Sequence, residues 1–172
     1  MRPMSEKYIP EHVDPFRFAE QNLQLSGVVR FNDMKRLGST LSPNQDLVNV
    51  NLEFGVDEQG VTFLKGQIET KMALQCQRCM EPFIYDIKSN FVLGIVHTLD
   101  EANALPDNYE PALVKDGQLA LRELIEDELI LNLPIIPKHE PEECKVKLPL
   151  KDAEWDKTNT PFQVLESLKH KQ

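Results

Sequence analysis

Val48-Asn49-Val50-Asn51-Leu52-Glu53-Phe54-Gly55-Val56 is the stretch that decides the fold. Its apolar side chains fall on every second position. Successive side chains of a strand point to opposite faces, so this pattern reads as a half-buried strand. Asp57-Glu58-Gln59-Gly60 follows as a turn. Thr62, Leu64, Ile68, Met72 and Leu74 then resume the alternation, with Gly66 read as a bulge. After Pro82 the pattern returns at Phe83, Tyr85, Ile87, Phe91, Leu93 and Ile95. Three long alternating strands with short connectors predict an antiparallel meander with one buried face. The expected class is α+β, a mainly antiparallel sheet from about Ser26 to Val96 with a few peripheral helices.

The flanks supply those helices. Asp14-Pro15 is a helix start, because Asp caps and Pro is tolerated at the first helical position. It predicts a helix over Pro15–Leu23, followed by a short strand at Ser26–Phe31 and a connector at Asn32–Asn44. Leu99–Gln118 is turn-rich and acidic. Leu119–Leu131 reads as a helix, closed by Pro134 and Pro137. Lys138–Asn159 is charged and irregular, expected to be mobile unless a metal or partner holds it. Thr160-Pro161 opens a last helix, to Lys169, with Phe162, Leu165 and Leu168 on one side. The reading is one domain over residues 1–172, without internal repeats.

With 41% apolar and 27% charged residues in a chain of 172, a packed core is within reach. The longest apolar run, Leu129–Ile136, is broken by Asn132 and Pro134 and is too short to span a bilayer. Three cysteines, without an apolar leader at the start, argue against a disulfide framework. The expected compartment is the cytoplasm, with no membrane contact. The net charge is −9, of which residues 116–144 carry −6, while residues 145–172 carry +2. Nucleic-acid affinity rests on neutralised phosphates, so broad RNA or DNA binding is disfavoured. An acidic middle suits a basic protein partner, although the same charge also serves solubility alone.

Cys76-Gln77-Arg78-Cys79 is the sharpest local feature. Two thiolates at this spacing grip one zinc ion or form a redox disulfide. A redox pair wants a helix N-terminus at its first cysteine, whereas this one sits between two strands. The candidates for the remaining zinc ligands are His139 and Cys144, separated by four residues. Cys76, Cys79, His139 and Cys144 would make a closed structural site, fastening the segment after the helix to the sheet. The competing reading is an unmetallated turn, with His139 and Cys144 as ordinary loop residues.

On the predicted helix, Leu121, Leu124, Ile125, Leu129 and Leu131 form an apolar arc, with Arg122, Glu123, Glu126 and Asp127 on the opposite, solvated face. Glu128 falls inside the apolar arc. A carboxylate there must be paired, neutralised or turned outward, and Arg78 and Arg30 are candidate partners. The alternative is that the helix frays before it. The sequence contains no nucleophile elbow, phosphate-binding glycine loop or zinc-protease motif, so no enzyme and no small-molecule substrate are expected.

Taken in order, Asp14-Pro15-x-Arg17, Cys76-Gln77-Arg78-Cys79, Tyr109-Glu110-Pro111, Glu126-Asp127-Glu128-Leu129-Ile130-Leu131-x-Leu133-Pro134, His139 and Cys144, and Asn159-x-Pro161-Phe162-x-x-Leu165-x-x-Leu168 closely resemble the YceD family of bacterial proteins, over almost the whole chain. The resemblance implies a role in synthesis, processing or stability of large-subunit ribosomal RNA, with no known reaction. Other members have a more cysteine-rich segment in place of His139–Cys144, similar to the second half of a metal knuckle. This chain has the reduced form, one histidine and one cysteine. The resulting expectation is a non-enzymatic ribosome-biogenesis factor, or an acidic binding module for a basic ribosomal protein that affects RNA indirectly. It would meet the pre-ribosomal large subunit through Arg78, Glu126, Asp127 and Glu128, with weak or indirect RNA contact and zinc as the cofactor.

Overall fold

The computed structural model describes residues 7–37 and 47–145, so the expected helix Pro161–Lys169 and most of the segment before it lie outside the described residues. The chain divides into a unit of Met1–Lys138 and a second of His139–Gln172. In the first, the elements run β1 (His12–Val13), α1 (Pro15–Glu20), β2 (Gln24–Arg30), β3 (Leu47–Val56), β4 (Thr62–Gln75), β5 (Pro82–Val96), α2 (Leu99–Asn103), β6 (Glu110–Leu113), β7 (Leu119–Ala120) and α3 (Leu121–Leu131). In the second, residues 140–144 form a turn in which the Glu143 and Cys144 N–H groups donate to the Glu140 carbonyl. Among the described residues no helix is long and apolar enough to cross a membrane.

The α+β class and the meander are borne out. A five-stranded sheet has the order β2-β3-β4-β5-β6, antiparallel except for the parallel β5–β6 pair. Its buried face carries Val48, Val50, Leu52, Phe54, Leu64, Ile68, Met72, Ile87 and Phe91, and its open face carries rows such as Ser26, Asn51, Gln67 and Asn90. β1 and β7 make a separate two-stranded pair.

Several boundaries move for local reasons. α1 ends at Glu20 instead of Leu23 because Asn22 takes a left-handed φ of 48°. The Asn22 and Leu23 N–H groups then close on the Ala19 and Phe18 carbonyls, the two bonds of a Schellman stop. The early strand is longer than expected, Gln24–Arg30 rather than Ser26–Phe31. Leu119 and Ala120 pair with β1, which delays α3 to Leu121. Within the turn-rich stretch Leu99–Gln118 lie α2 and β6, and β6 is parallel because the excursion through α2 returns the chain in the direction of β5. The Val114 N–H bonds the Val96 carbonyl. By strand alternation Pro111 therefore faces the outer edge, where its missing N–H costs no ladder bond.

Gly66 is not a bulge. It pairs in unbroken register with Leu52 on one side and Phe91 on the other. A Cβ at Gly66 would stand 1.9 Å from the Phe91 ring, which lies across the glycine. Gly66→Ala is expected to destabilise by about 1–3 kcal/mol, the usual cost of overpacking a filled site. Adding Phe91→Leu should recover part of that loss in a thermal melt. Equal melting temperatures for Gly66→Ala and the parent protein would refute this role for the ring.

Candidate metal centre and partner groove

β4 and β5 stay paired up to Gln75 and Pro82, so residues 76–81 close the end of a long hairpin. The Cys76 N–H donates to the Glu81 carbonyl (3.0 Å) and the Met80 N–H to the Cys76 carbonyl (2.9 Å). Met80 adopts φ 60°, which folds the loop into a tight knuckle with Cys76 at its base and Arg78 in its turn. The Gln77 N–H donates to the Pro137 carbonyl (2.8 Å), bonding the chain two positions before His139 to this knuckle. Ligand atoms of Cys76, Cys79, His139 and Cys144 lie within 4.8 Å of one another. Cys76 and Cys144 are buried, and Cys79 and His139 are half-buried. A tetrahedral zinc with bonds of about 2.3 Å to sulfur and about 2.0 Å to nitrogen spaces its ligands by roughly 3.5 Å, so slight closure would suffice. Three soft thiols and one imidazole, with no carboxylate in the group, suit zinc better than magnesium or calcium.

This geometry covers the part of the chain that a family model also covers. The model described as "Large ribosomal RNA subunit accumulation protein YceD" matches residues 64–169. The chain belongs to the YceD family. A Haemophilus influenzae protein named "Large ribosomal RNA subunit accumulation protein YceD" is 34% identical over 174 residues, which span 98% of this chain and 100% of the relative. No solved structure matches the chain. The family match thus includes the knuckle, α3 and the His139–Cys144 turn.

On α3 the structure corrects the expected faces. Glu126, expected on the solvated side, is only 2% exposed. One of its oxygens accepts the N–H groups of Arg36 (2.6 Å) and Leu37 (2.8 Å), and the other lies 3.5 Å from the Arg36 guanidinium. Burial pushes Glu126 up, but those amides and Arg36 outweigh it and hold the carboxyl below its ordinary value. Its carboxylate is therefore committed inside the molecule, leaving it unsuited to meeting a partner. Asp127 is on the surface, 2.6 Å from Arg36. The segment read as mere connector therefore clasps the helix, with Met34 and Leu37 in the core. Two apolar residues framing Lys35-Arg36 were the available signal.

Glu128 is in the apolar arc as expected and is 9% exposed. It accepts from the Ser89 hydroxyl (3.4 Å), which in turn accepts from the Asn132 amide (3.0 Å). The other groups acting on it are Glu110 and Asp127, of like charge. Neither candidate arginine supplies its counter-charge: Arg30 lies over the Tyr8 ring, and Arg78 belongs to the knuckle. The lone hydroxyl Ser89 in the apolar row Ile87, Phe91, Leu93 was the sequence signal for this contact.

Burial, then Glu110, raises the Glu128 pKa above its ordinary value, with Ser89 opposing. A carboxyl raised in the folded state adds stability while protonated, and that stability is lost as pH rises from its unfolded value through its folded one. Glu128→Gln keeps a hydrogen-bonding side chain without the charge. It is expected to raise the melting temperature at pH 7 and to leave it unchanged near pH 4. A lower melting temperature at pH 7 would show that the ionised form is compensated.

An open groove of about 850 Å³ runs from the open face of the sheet, along Ser26, Asn51, Gln67 and Asn90, to a wall beside β5 that includes Asp107, Glu110, Glu128 and Leu131. The Tyr109 hydroxyl fixes the 106–109 wall by donating to Asp57 (2.8 Å), the residue that also caps the β3–β4 turn through the Gln59 and Val61 amides.

Proposed function

We propose that this chain is a cytoplasmic, non-enzymatic factor in biogenesis of the large ribosomal subunit. It supports synthesis, processing or stability of large-subunit ribosomal RNA, and it reaches the pre-ribosomal particle through a basic ribosomal protein. Membership of the YceD family, with a near full-length relative named for large-subunit RNA accumulation, carries the ribosomal part of this reading. The net charge of −9 favours contact through protein, because an acidic surface repels phosphates. Zinc on Cys76, Cys79, His139 and Cys144 is proposed as a structural element. A set of four protein ligands leaves no open position for substrate.

The test is capture of the tagged full chain from cells, with and without nuclease. Large-subunit proteins are expected to stay bound after the RNA is digested. Binding to naked large-subunit RNA is expected to be weak near physiological salt. The lysines of the tail (Lys145, Lys147, Lys151, Lys157, Lys169 and Lys171) could make only a few phosphate contacts. Each neutralised phosphate adds roughly 0.7–0.9 to the slope of log affinity against log salt. Tight, specific binding to naked RNA, with every protein partner lost on nuclease treatment, would overturn the reading.

A further inference from the structure

β6 pairs with β5 only from Leu93 to Val96. Before that point, among the described residues, no strand lies along the outer edge of β5. The Val96 carbonyl faces the β6 side, where it accepts from Val114. Pairing of β5 with β4 is unbroken from Pro82 to Gly94, so main-chain alternation holds along it. Lys88 and Asn90 therefore turn their N–H and C=O groups to the same outer edge, short of where β6 begins. Asn90 is also a wall of the 850 Å³ groove.

Glu128 lines the same groove from the other side. It is nine-tenths buried, one of its oxygens receives only the long Ser89 contact, and none of the groups acting on it is a cation. Glu110 and Asp107 add negative charge to the walls, against which Lys65 is the single basic side chain. Leu131, 75% exposed, offers an apolar rim. The sole described group of three or more metal-ligating side chains is the cysteine–histidine cluster, so these carboxylates do not form a cage for a metal ion.

We propose that this groove receives an extended, lysine- or arginine-bearing segment of a partner protein, which adds as a strand to the Lys88–Asn90 edge of β5. Main-chain bonds to the edge hold the segment. Its cation lies against Glu128 and Glu110, and an apolar side chain covers Leu131. An open strand edge is a template for such addition, with alternate side chains read by flanking pockets. This site rests on the reading of a basic protein partner and gives that partner a conformation.

The probe is a fluorescein-labelled peptide of alternating lysine and valine, titrated into the full chain and followed by anisotropy. A second peptide of identical charge carries N-methyl groups at alternate positions, which remove one row of main-chain donors. The plain peptide is expected to bind at least 10-fold tighter than the methylated one. Glu128→Gln is expected to weaken it at least 5-fold without loss of melting temperature. Glu20→Gln with Glu58→Gln, exposed acids outside the groove, should change it less than 2-fold. Equal binding of both peptides, unchanged binding by Glu128→Gln, or a chain dimer that the peptide disrupts would each overturn the proposal. In the nuclease-treated capture, Glu128→Gln should lose the retained protein. If it keeps that protein at wild-type yield, the groove assignment fails alone. If the wild-type chain also retains nothing, the underlying reading fails with it.

Discussion

Protein purified without chelator is expected to carry close to one zinc per chain, and stripping that zinc should cause the largest loss of stability of any perturbation considered. A ligand bound only by the folded state stabilises it by about 4 kcal/mol when present at about 1,000 times its dissociation constant. For a chain of this size each kcal/mol shifts the melting temperature by roughly 2–4 °C, so a fall of about 8–16 °C is expected. Cys76→Ser should abolish the stoichiometry, because Cys76 sits at the base of the knuckle and is fully buried. His139→Cys should retain it, since a fourth thiolate completes a familiar structural zinc set. Metal content below about 0.1 per chain, with all three thiols reacting rapidly in native protein, would show that the cluster is not a zinc centre.

The second large effect belongs to Glu126. Glu126→Ala leaves the part-buried Arg36 amide and the buried Leu37 amide without their acceptor and frees the clasp on α3. An unmade buried hydrogen bond costs about 1–3 kcal/mol, so a total near 3 kcal/mol is expected from the pair. Glu123→Ala removes only an exposed contact with Lys35 at 3.5 Å and should stay within about 0.5 kcal/mol. The pH dependence has a fixed sign. The folded pKa of Glu126 is depressed, so its stabilisation is complete above the unfolded value and is lost as pH falls through the folded one. Denaturant midpoints measured from pH 7 down to pH 3 should therefore converge for Glu126→Ala and the parent protein. Parallel curves would assign the effect to packing alone.

The sheet was legible because alternation over Val48–Val56, Thr62–Leu74 and Phe83–Ile95 is a local signal, and each strand pairs with the next. The cysteine pair was legible for the same reason, and its geometry is set by the hairpin loop 76–81 that contains it. What could not be read depends on partners distant in sequence. Glu126 looks solvated on a helical wheel because its donors lie some 90 residues earlier, at Arg36 and Leu37. β6 is only four residues long and contains a proline, so nothing local marks it as a strand. The role of Gly66 lies with Phe91 on the neighbouring strand, which a one-dimensional pattern does not register.

The short pairing of His12 and Val13 with Ala120 and Leu119 has a consequence for the order in which the molecule is completed during synthesis. Ala120 provides no side-chain cap to α3, and the first helical amide, Leu121 N–H, bonds the Glu11 carbonyl instead. Glu11, His12 and Val13 thus leave the exit tunnel before α3 and wait for it to be translated. Until then β1 lacks its pairing partner, and afterwards it fastens the first turn of the helix that carries Glu126 and Glu128. Cleavage just after Glu11 in the nascent chain would therefore be felt at α3, far along the sequence, as a helix with an unfastened first turn.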